Sequence, residues 1–375
     1  LHYLDSELNG IQENSNIDLF DYHASNELQD HGHSAESISE NWVELSNLSL
    51  AYMAPSSTNF NAKMWTLGSS VNPNYTWLGT VSSDWNTLEN WSGGIPVSSS
   101  NVIIPDALTT NYDPTLPTAT TINSISLANG AILNGGNNTV LNLLESSGSS
   151  WMNDNATFNP GTSTINFQGT SSTISGINNF YNLTIATGAK LTTVLDADMY
   201  ISGTLIINGL LDVTSYDNMI EFNGNSSQSI PFTNYHDISF SGNGVKNLAS
   251  TISVQGDWVN NGTVLTGTGL VIFNGGASQN ITGSSSTIFN NLTLNNSNGL
   301  NLSGTVDATI NGILTLTNGL LTPNANKLTI GSSGTINGAS SSSYINGALS
   351  RIIENTSANT FPIGKSGNYK PVTFG

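Results

Sequence analysis

The chain has 375 residues, of which 37% are hydrophobic and only 9% are charged, whereas about 25% of an ordinary soluble domain is charged. It contains no cysteine, which excludes disulfides, thiol catalysis and thiolate metal sites. The net charge of −18, with only 7 scattered Lys and Arg, makes nucleic acid and anionic membrane surfaces poor candidates for partners, and we expect no nucleic acid. No apolar run approaches the length of a membrane span, so the protein is not expected to be membrane-embedded. Its polarity comes from Ser, Thr and Asn, which suit strands and tight turns, so the composition predicts an all-β protein.

Residues 1–62 form an acidic N-terminal segment. The first 50 residues hold ten Asp and Glu, no Lys or Arg, and four of the five His. Ser37 and Glu40 have the spacing of a capping box, and the apolar residues around them recur at helical spacing. We therefore expect one short helix that ends before Pro55. Apolar residues from Val43 onward also alternate, which leaves a strand as the alternative.

Five side chains in this segment have the chemistry of divalent-metal ligands. They are Asp21, His23, Asp30, His31 and His33. Their spacing is irregular and the sequence around them is acidic and loop-like, which favours a solvated segment over a metal site. We expect no metal and no cofactor.

Residues 63–115 form a Trp-rich segment that contains Trp77, Trp85 and Trp91. Three indoles close together in sequence are able to form a platform on which sugar rings stack. Large aromatic residues beside the first coil of a stacked fold more often cover the open end of its core. We therefore expect these three side chains to be mostly buried, as a cap.

From residue 116 to residue 345 the chain repeats itself. The hexapeptide Phe180–Ile185 recurs as Tyr235–Phe240 and again as Phe289–Leu294, with spacings of 55 and 54 residues. Self-similarity at this scale is the signature of a stacked architecture. Short alternating runs separated by Asn-Gly and Ser-Gly turns fill each unit, which indicates strands without intervening helices.

The repeat predicts a solenoid resembling a parallel β-helix, with two or three coils in each unit. A row of small antiparallel β-sandwiches is the second choice, and the shortness of the strands favours the solenoid. In stacked repeats Leu183, Ile238 and Leu292 should occupy equivalent inward positions. Asn and Thr recurring in the same position should stack into side-chain ladders.

Residues 346–375 are interpreted as the start of a following β module. The sequence begins without Met and stops at Gly375 inside a predicted strand. We expect other segments of a larger surface protein, or a partner subunit, to cover the C-terminal end of the solenoid, because exposed strands invite aggregation.

Asp196 and Asp198 are the carboxylate pair within the repeats that invites comparison with the acid pair of a glycosidase. Aligning the repeats places Asp198 in the same position as Thr251 and Asp307. A position that alternates between Asp and Thr is typical of a turn rather than of a catalytic centre. The sequence therefore predicts no catalytic residue and no enzyme activity.

Several motifs carry a resemblance to a known group of proteins. The segment Trp77–Pro105 resembles one that introduces β-repeat regions in large secreted surface proteins of Bacteroidetes. Phe273–Gly275 with the following Gln279, and Tyr344–Gly347, are similar to repeat units of the same proteins. Such proteins are typically adhesins or surface-layer components, exported by type IX secretion through a C-terminal sorting domain, which this sequence does not show.

The resemblance implies a non-catalytic extracellular protein of the bacterial cell surface, whose repeat region acts as a rigid stalk or a binding scaffold. Surface polysaccharide is then a possible partner. A carbohydrate-binding module that uses Trp77, Trp85 and Trp91 is the alternative, followed by a β-helix polysaccharide lyase or hydrolase.

Overall fold

The computed structural model describes residues 74–375 apart from 249 and 355–357, together with the backbone of five short strands before residue 70. It is an all-β parallel solenoid of about 12 turns, which confirms the predicted fold class. The parallel ladders rule out the row of antiparallel sandwiches. The helical structure in these residues consists of two single-turn 3-10 helices, Leu88–Asn90 and Ala107–Thr109.

Three faces, named A, B and C, run along the solenoid, and successive strands visit them in the order A, B, C. Face A comprises β6 (Asn74–Thr76), β7 (Asn101–Ile104), β9 (Ser124–Leu127), β12 (Ser149–Asn153), β15 (Ser172–Ser175), β18 (Lys190–Thr193), β21 (Leu210–Asp212), β24 (Asn234–Tyr235), β27 (Ile252–Val254), β30 (Leu270–Phe273), β33 (Asn291–Asn295), β36 (Ile313–Asn318) and β39 (Thr335–Asn337).

Faces B and C are built in the same way from the intervening strands. Face B comprises β10 (Ile132–Asn134), β13 (Thr157–Asn159), β16 (Asn178–Phe180), β19 (Met199–Ile201), β22 (Met219–Phe222), β25 (Asp237–Phe240), β28 (Trp258–Asn260), β31 (Gln279–Gly283), β34 (Leu300–Leu302), β37 (Leu321–Thr322), β40 (Ile345–Asn346), β43 (Ile363–Lys365) and β44 (Asn368–Tyr369). Face C comprises β8 (Ala119–Ile122), β11 (Val140–Leu143), β14 (Thr164–Phe167), β17 (Asn182–Ile185), β20 (Leu205–Ile207), β23 (Gln228–Ile230), β26 (Val245–Leu248), β29 (Thr263–Leu265), β32 (Thr287–Phe289), β35 (Ala308–Ile310), β38 (Leu328–Ile330) and β41 (Ser350–Arg351).

The remaining strands are antiparallel and lie towards the two ends of the chain. They are β1 (Ile17–Tyr22), β2 (Leu28–Asp30), β3 (Ala35–Ser37), β4 (Trp42–Glu44), β5 (Trp65–Ser69), β42 (Asn359–Phe361) and β45 (Val372–Phe374). β3 pairs with β4. The prediction of a short helix after Ser37 is therefore wrong for Trp42–Glu44, which form a strand. The other residues of that expected helix lie outside the described part of the chain.

The sequence repeat spans eight strands, whereas one coil has three. The three copies of the hexapeptide end in β17, β25 and β33, which lie on faces C, B and A. Leu183, Ile238 and Leu292 are buried, with at most 1% of each side chain exposed, so their predicted inward orientation is confirmed. They do not stack on one another, because eight is not a multiple of three and each repeat starts one face away from the previous one.

Stacking therefore joins residues one coil apart rather than one repeat apart. Leu183, for example, pairs with Ile165 on one side and with Leu205 on the other, at spacings of 18 and 22 residues. Asparagine ladders follow the same rule: the Asn166 amide donates to Asn142 Oδ1 at 2.8 Å. The ladders expected from the sequence exist, but between different positions of the repeat.

The Phe-Asn-Gly motif with its following Gln forms a corner between two strands. In the unit around Gly275, the Gln279 side chain accepts the Gly275 N–H at 2.9 Å and donates to the Val254 and Gly256 carbonyls of the previous coil at 2.9 and 2.6 Å. A Cβ at Gly275 would overlap the Gln255 carbonyl oxygen. The motif recurs because a glycine lets the coils approach and a buried amide satisfies the corner's backbone groups.

The expected boundaries at residues 115 and 345 do not interrupt the stack. β7 pairs in parallel with β9 across the first boundary. Ile345 pairs in parallel with Ile363 across the second. The parallel ladder thus extends to β43, where the chain reverses into the antiparallel β44. In the described part of the chain, no helix is long and apolar enough to cross a membrane.

Candidate functional site

The three tryptophans of the cap face inward. Trp77, Trp85 and Trp91 expose 1%, 0% and 4% of their surface and join the same hydrophobic core as Val102 and Leu116. Trp91 packs edge-on against both other indoles, with ring centroids 4.9 and 4.7 Å apart. No indole face is open to a sugar ring, so these residues do not form the ligand platform considered from the sequence. Their aromatic area instead closes the core at this end.

Buried hydrogen bonds hold the cap in this arrangement. Trp77 Nε1 donates to the Tyr112 carbonyl, and Trp91 Nε1 donates to the Trp85 carbonyl, both at 2.7 Å. The Asn90 side chain is fully buried and accepts the Val81 N–H at 3.0 Å. The segment between β6 and β7 is thereby fixed across the first coil.

The carboxylate pair considered from the sequence is held by backbone contacts. Asp198 Oδ1 accepts the Met219 N–H at 2.7 Å, and Asp307 Oδ1, at the aligned position, accepts the Lys327 N–H at 2.7 Å. Asp196 has a φ of 59°, the left-handed conformation of a tight turn. Asp196 therefore has a role in a turn, and Asp198 links two coils.

Two of the possible metal ligands of the N-terminal segment lie on paired strands, since Asp21 is opposite Gln29 and Asp30 is opposite Phe20. Asp21 and Asp30 belong to β1 and β2, and only the backbone of these strands is described. His23, His31 and His33 lie outside the described residues. Within the part of the chain that the structure does describe, no three His, Cys, Asp or Glu side chains are grouped so that they could hold a metal ion.

An acidic groove that the sequence did not reveal crosses three coils beside His236. It has a volume of about 430 Å³, and Asp217, Asp237 and Asp257 line it together with His236. His236 Nε2 lies 3.1 Å from the Asp217 carboxylate, and Nδ1 lies 3.4 Å from that of Asp237. Asp217 is 91% exposed, whereas the His236 and Asp237 side chains are mostly covered.

The carboxylates of the acidic groove are in different environments. Asp237 is partly buried, and this desolvation raises its pKa. A hydrogen bond from the Asp257 backbone N–H and the nearby His236 lower the pKa, whereas the charges of Asp257 and Asp217 raise it further. Asp257 accepts the Asn280 backbone N–H at 2.8 Å and the Asn280 amide at 3.2 Å. Asp237 therefore retains its proton more readily than an ordinary aspartate does.

The aligned repeats show why the sequence did not predict the acidic groove. Asp237 aligns with Asn182 and Asn291, and each of these three accepts the backbone N–H of the residue after a glycine in the next coil. The three carboxylates recur at intervals of 20 residues and come from three successive coils. The number of residues in a coil varies along the chain, for example 18 and 22 on the two sides of Leu183, so the regular spacing of the aspartates did not identify them as neighbours. One signal of the site is present in the sequence: His236-Asp237 stands where the preceding repeat has Tyr181-Asn182, so two ionisable residues replace two that are neutral.

A buried lysine lies close to the same region of the solenoid. Lys246 is fully buried, and its ammonium donates to the carbonyls of Gly224 at 2.9 Å and Gly244 at 2.7 Å. Burial lowers the pKa of Lys246, and Glu221 partly opposes this shift. At the aligned positions stand Leu191 and Leu300, both buried.

These features define the protein as a capped parallel β-solenoid with one acidic groove on its flank. No protein-family model, no curated protein and no solved structure matches this chain in the comparisons with known proteins. The fold by itself does not indicate an activity, because function depends on the site that a fold carries.

Proposed function

We propose that this chain is a non-catalytic structural protein of the bacterial cell surface, in which the solenoid serves as a rigid stalk or a scaffold for adhesion. One observation carries the proposal: a single hydrophobic core runs from Trp77 to Ile345 beneath uninterrupted coils. In such a stack each coil contacts its neighbours, and stability accumulates along one axis. About 12 turns at about 4.8 Å per turn give a rod of about 58 Å.

Two further features support a spacer. Hydrogen bonds between side chains of adjacent coils resist shear, as in the bond between Asn159 and Asn134 at 3.0 Å. Part of each end of the described stack is covered, which reduces edge-to-edge pairing. The Trp-rich cap covers one end, and the antiparallel hairpin of β43 and β44 covers the last coil of face B.

The location is tested on intact cells of the source organism, with an antibody against residues 116–345. Labelling of intact cells, removed by an external protease, is the expected result. Labelling that requires lysis would contradict a surface role.

The stalk role is tested by deleting residues 235–288, which removes one repeat of eight strands. The remaining repeats should join in register, and the maximum dimension in small-angle X-ray scattering should fall by about 13 Å. An unchanged dimension in a folded variant would contradict the rod.

Polysaccharide cleavage is the second candidate function, and the acidic groove is the observation that favours it. Because Asp237 has a raised pKa beside other carboxylates, it has the character of a general acid. The test incubates the protein with anionic and neutral polysaccharides and measures new reducing ends. Activity lost in both D237N and H236A would replace the stalk proposal by an enzyme. Carbohydrate binding through Trp77, Trp85 and Trp91 has no such support, since the three indoles are buried.

A further inference from the structure

The last four strands of face B carry a cleft whose charge is opposite to that of the protein as a whole. The cleft has a volume of about 910 Å³, within the usual range of ligand pockets. Lys365 and Lys370 line it, and no Asp or Glu does. The whole chain has 25 acidic residues and 7 basic ones, so two cations at one cleft without a carboxylate form a local positive site in a strongly negative protein.

The fold explains how this basic cleft forms. One row of adjacent residues on face B lines the cleft and consists of Thr322, Asn346 and Gly364. The strand register produces this row, because Leu321 pairs with Ile345 and Asn346 pairs with Gly364. Gly364 has no side chain, and a Cβ there would overlap the Asn368 carbonyl oxygen. The row of side chains therefore ends at Gly364, and the chain turns back over it.

A tight hairpin forms the wall of the basic cleft. Ser366 and Gly367 have φ angles of 52° and 80°, which is typical of a type I′ turn. This turn places Lys365 opposite Asn368 in the β43–β44 pair. The Ser366 N–H donates to Asn346 Oδ1 at 3.3 Å, which fixes the hairpin against the strand below it.

Both lysines of the basic cleft are free to bind a ligand. Lys365 and Lys370 are exposed, and neither ammonium has an ion pair or hydrogen bond with the residues that the structure describes. This distinguishes them from Lys246, whose ammonium is held by two carbonyls. An unpaired ammonium at a cleft forms charge-assisted hydrogen bonds with a carboxylate.

The neutral lining of the basic cleft indicates a ligand rich in hydroxyl groups. The amides of Asn324, Asn346 and Asn368 each donate one N–H to the protein itself. Each amide keeps a second N–H and acceptor capacity for a ligand. The hydroxyl of Ser366 also lines the cleft. The lining contains no aromatic ring on which a neutral sugar would stack. The cleft is also much larger than an inorganic anion, so it has room for one extended ligand that carries both charge and hydroxyl groups.

We propose that this basic cleft binds an acidic oligosaccharide, with Lys365 and Lys370 contacting sugar carboxylates and the amides contacting hydroxyl groups. The proposal concerns the end of the solenoid and does not depend on the stalk role. The two proposals are tested by separate measurements: small-angle X-ray scattering tests the stalk, and ligand titration tests the cleft. Failure of one is therefore distinguishable from failure of the other.

Calorimetric titration of the full chain tests the proposal, with tetragalacturonate as the probe and its methyl ester as the uncharged counterpart. The acid should bind, and its affinity should fall as salt is raised. The double variant K365Q/K370Q should lose at least about tenfold in affinity. The matched control K190Q removes one positive charge from face A in an earlier coil and should bind as the wild type does.

Four outcomes would overturn the proposal. They are no binding of tetragalacturonate at millimolar concentration, equal binding of the methyl ester, an equal loss of affinity in K190Q, and equally tight binding of inorganic phosphate. Thermal melts show whether each variant is folded. Lys365 and Lys370 are exposed and Lys190 is half-buried, and none of the three changes alters the hydrophobic core, so the melting temperature should change little.

Discussion

The repeat that begins at Tyr235 and the repeat that begins at Phe289 share one backbone plan but differ in charge. At aligned positions the first has Asp237, Lys246 and Asp257, whereas the second has Asn291, Leu300 and Ile313. Asp237 and Asn291 make the same backbone hydrogen bond, so the repeat needs an acceptor there and not a charge. The fold of the repeat therefore depends on shape and hydrogen bonds, and charge at these positions is an addition specific to one repeat.

Moving the buried charge into the neutral repeat should have the largest effect. L300K places an ammonium in the core beside the Gly299 carbonyl. This carbonyl already accepts hydrogen bonds from the Gln279 backbone N–H and the Asn296 amide, so it is not free to accept one from the ammonium. We expect the free energy of unfolding to fall by about 3 to 5 kcal/mol, measured by urea denaturation. L300M, which conserves volume, should cost less than about 1.5 kcal/mol. Equal losses in the two variants would show that the cavity shape, rather than the charge, matters there.

The second effect tests the corner that both repeats share. G275A adds a Cβ that overlaps the Gln255 carbonyl, so the coils must separate, at a cost of about 1 to 3 kcal/mol. The adjacent G276A meets no atom within 4 Å and should change the stability by less than about 0.5 kcal/mol. Both variants replace a glycine by alanine in the same corner, so the difference between their melting temperatures measures the effect of the close approach of the coils at Gly275. A similar loss in both would refute the corner explanation.

The third effect is a pH dependence confined to the charged repeat. Burial lowers the pKa of Lys246 in the folded state, so between that lowered pKa and the ordinary value the unfolded chain binds more protons. The stability of the wild type should therefore rise as the pH is raised through this alkaline window. Chemical denaturation of K246M at several pH values should lack this rise. A rise that persists in K246M would assign it to another group.

The smallest effect concerns the acidic groove. The pKa of Asp237 is raised mainly by burial, so between the ordinary and the raised pKa the folded state binds more protons. Wild-type stability should then fall as the pH rises through this acidic window. D237N keeps the oxygen acceptor that Asn182 and Asn291 use, and should gain no more than about 1 kcal/mol near neutral pH. Denaturation curves at acidic and neutral pH measure the difference, and a loss of stability at neutral pH would contradict it.

The sequence was sufficient to predict the fold class and the inward positions. Short alternating runs between glycine turns define strands, and the hexapeptide identified Leu183, Ile238 and Leu292 as core residues. The number of residues in a repeat does not reveal the number of strands in it, so the faces on which these residues lie could not be predicted. Asp217, Asp237 and Asp257 are 20 residues apart, but the sequence does not give the number of residues in a coil, which varies along the chain, so their meeting could not be predicted from this spacing.

The cap was predictable as a covering because three indoles carry too much apolar area to remain in water. Lys246 was not predictable as a core residue, because a lysine is almost never fully buried. Its environment depends on the Gly244 carbonyl two residues before it and on the Gly224 carbonyl of the previous coil. Such compensation is visible only after the coils are stacked.

The mismatch between an eight-strand repeat and a three-strand coil has a consequence for valency. Any surface group copied once per repeat is displaced by about 13 Å along the axis and rotated by about 120° around it. Three copies thus point in three directions, and a fourth would return to the first azimuth about 38 Å away. Because one rigid partner is unable to reach copies on opposite sides, duplication of the repeat increases the number of independent contacts without creating avidity for that partner.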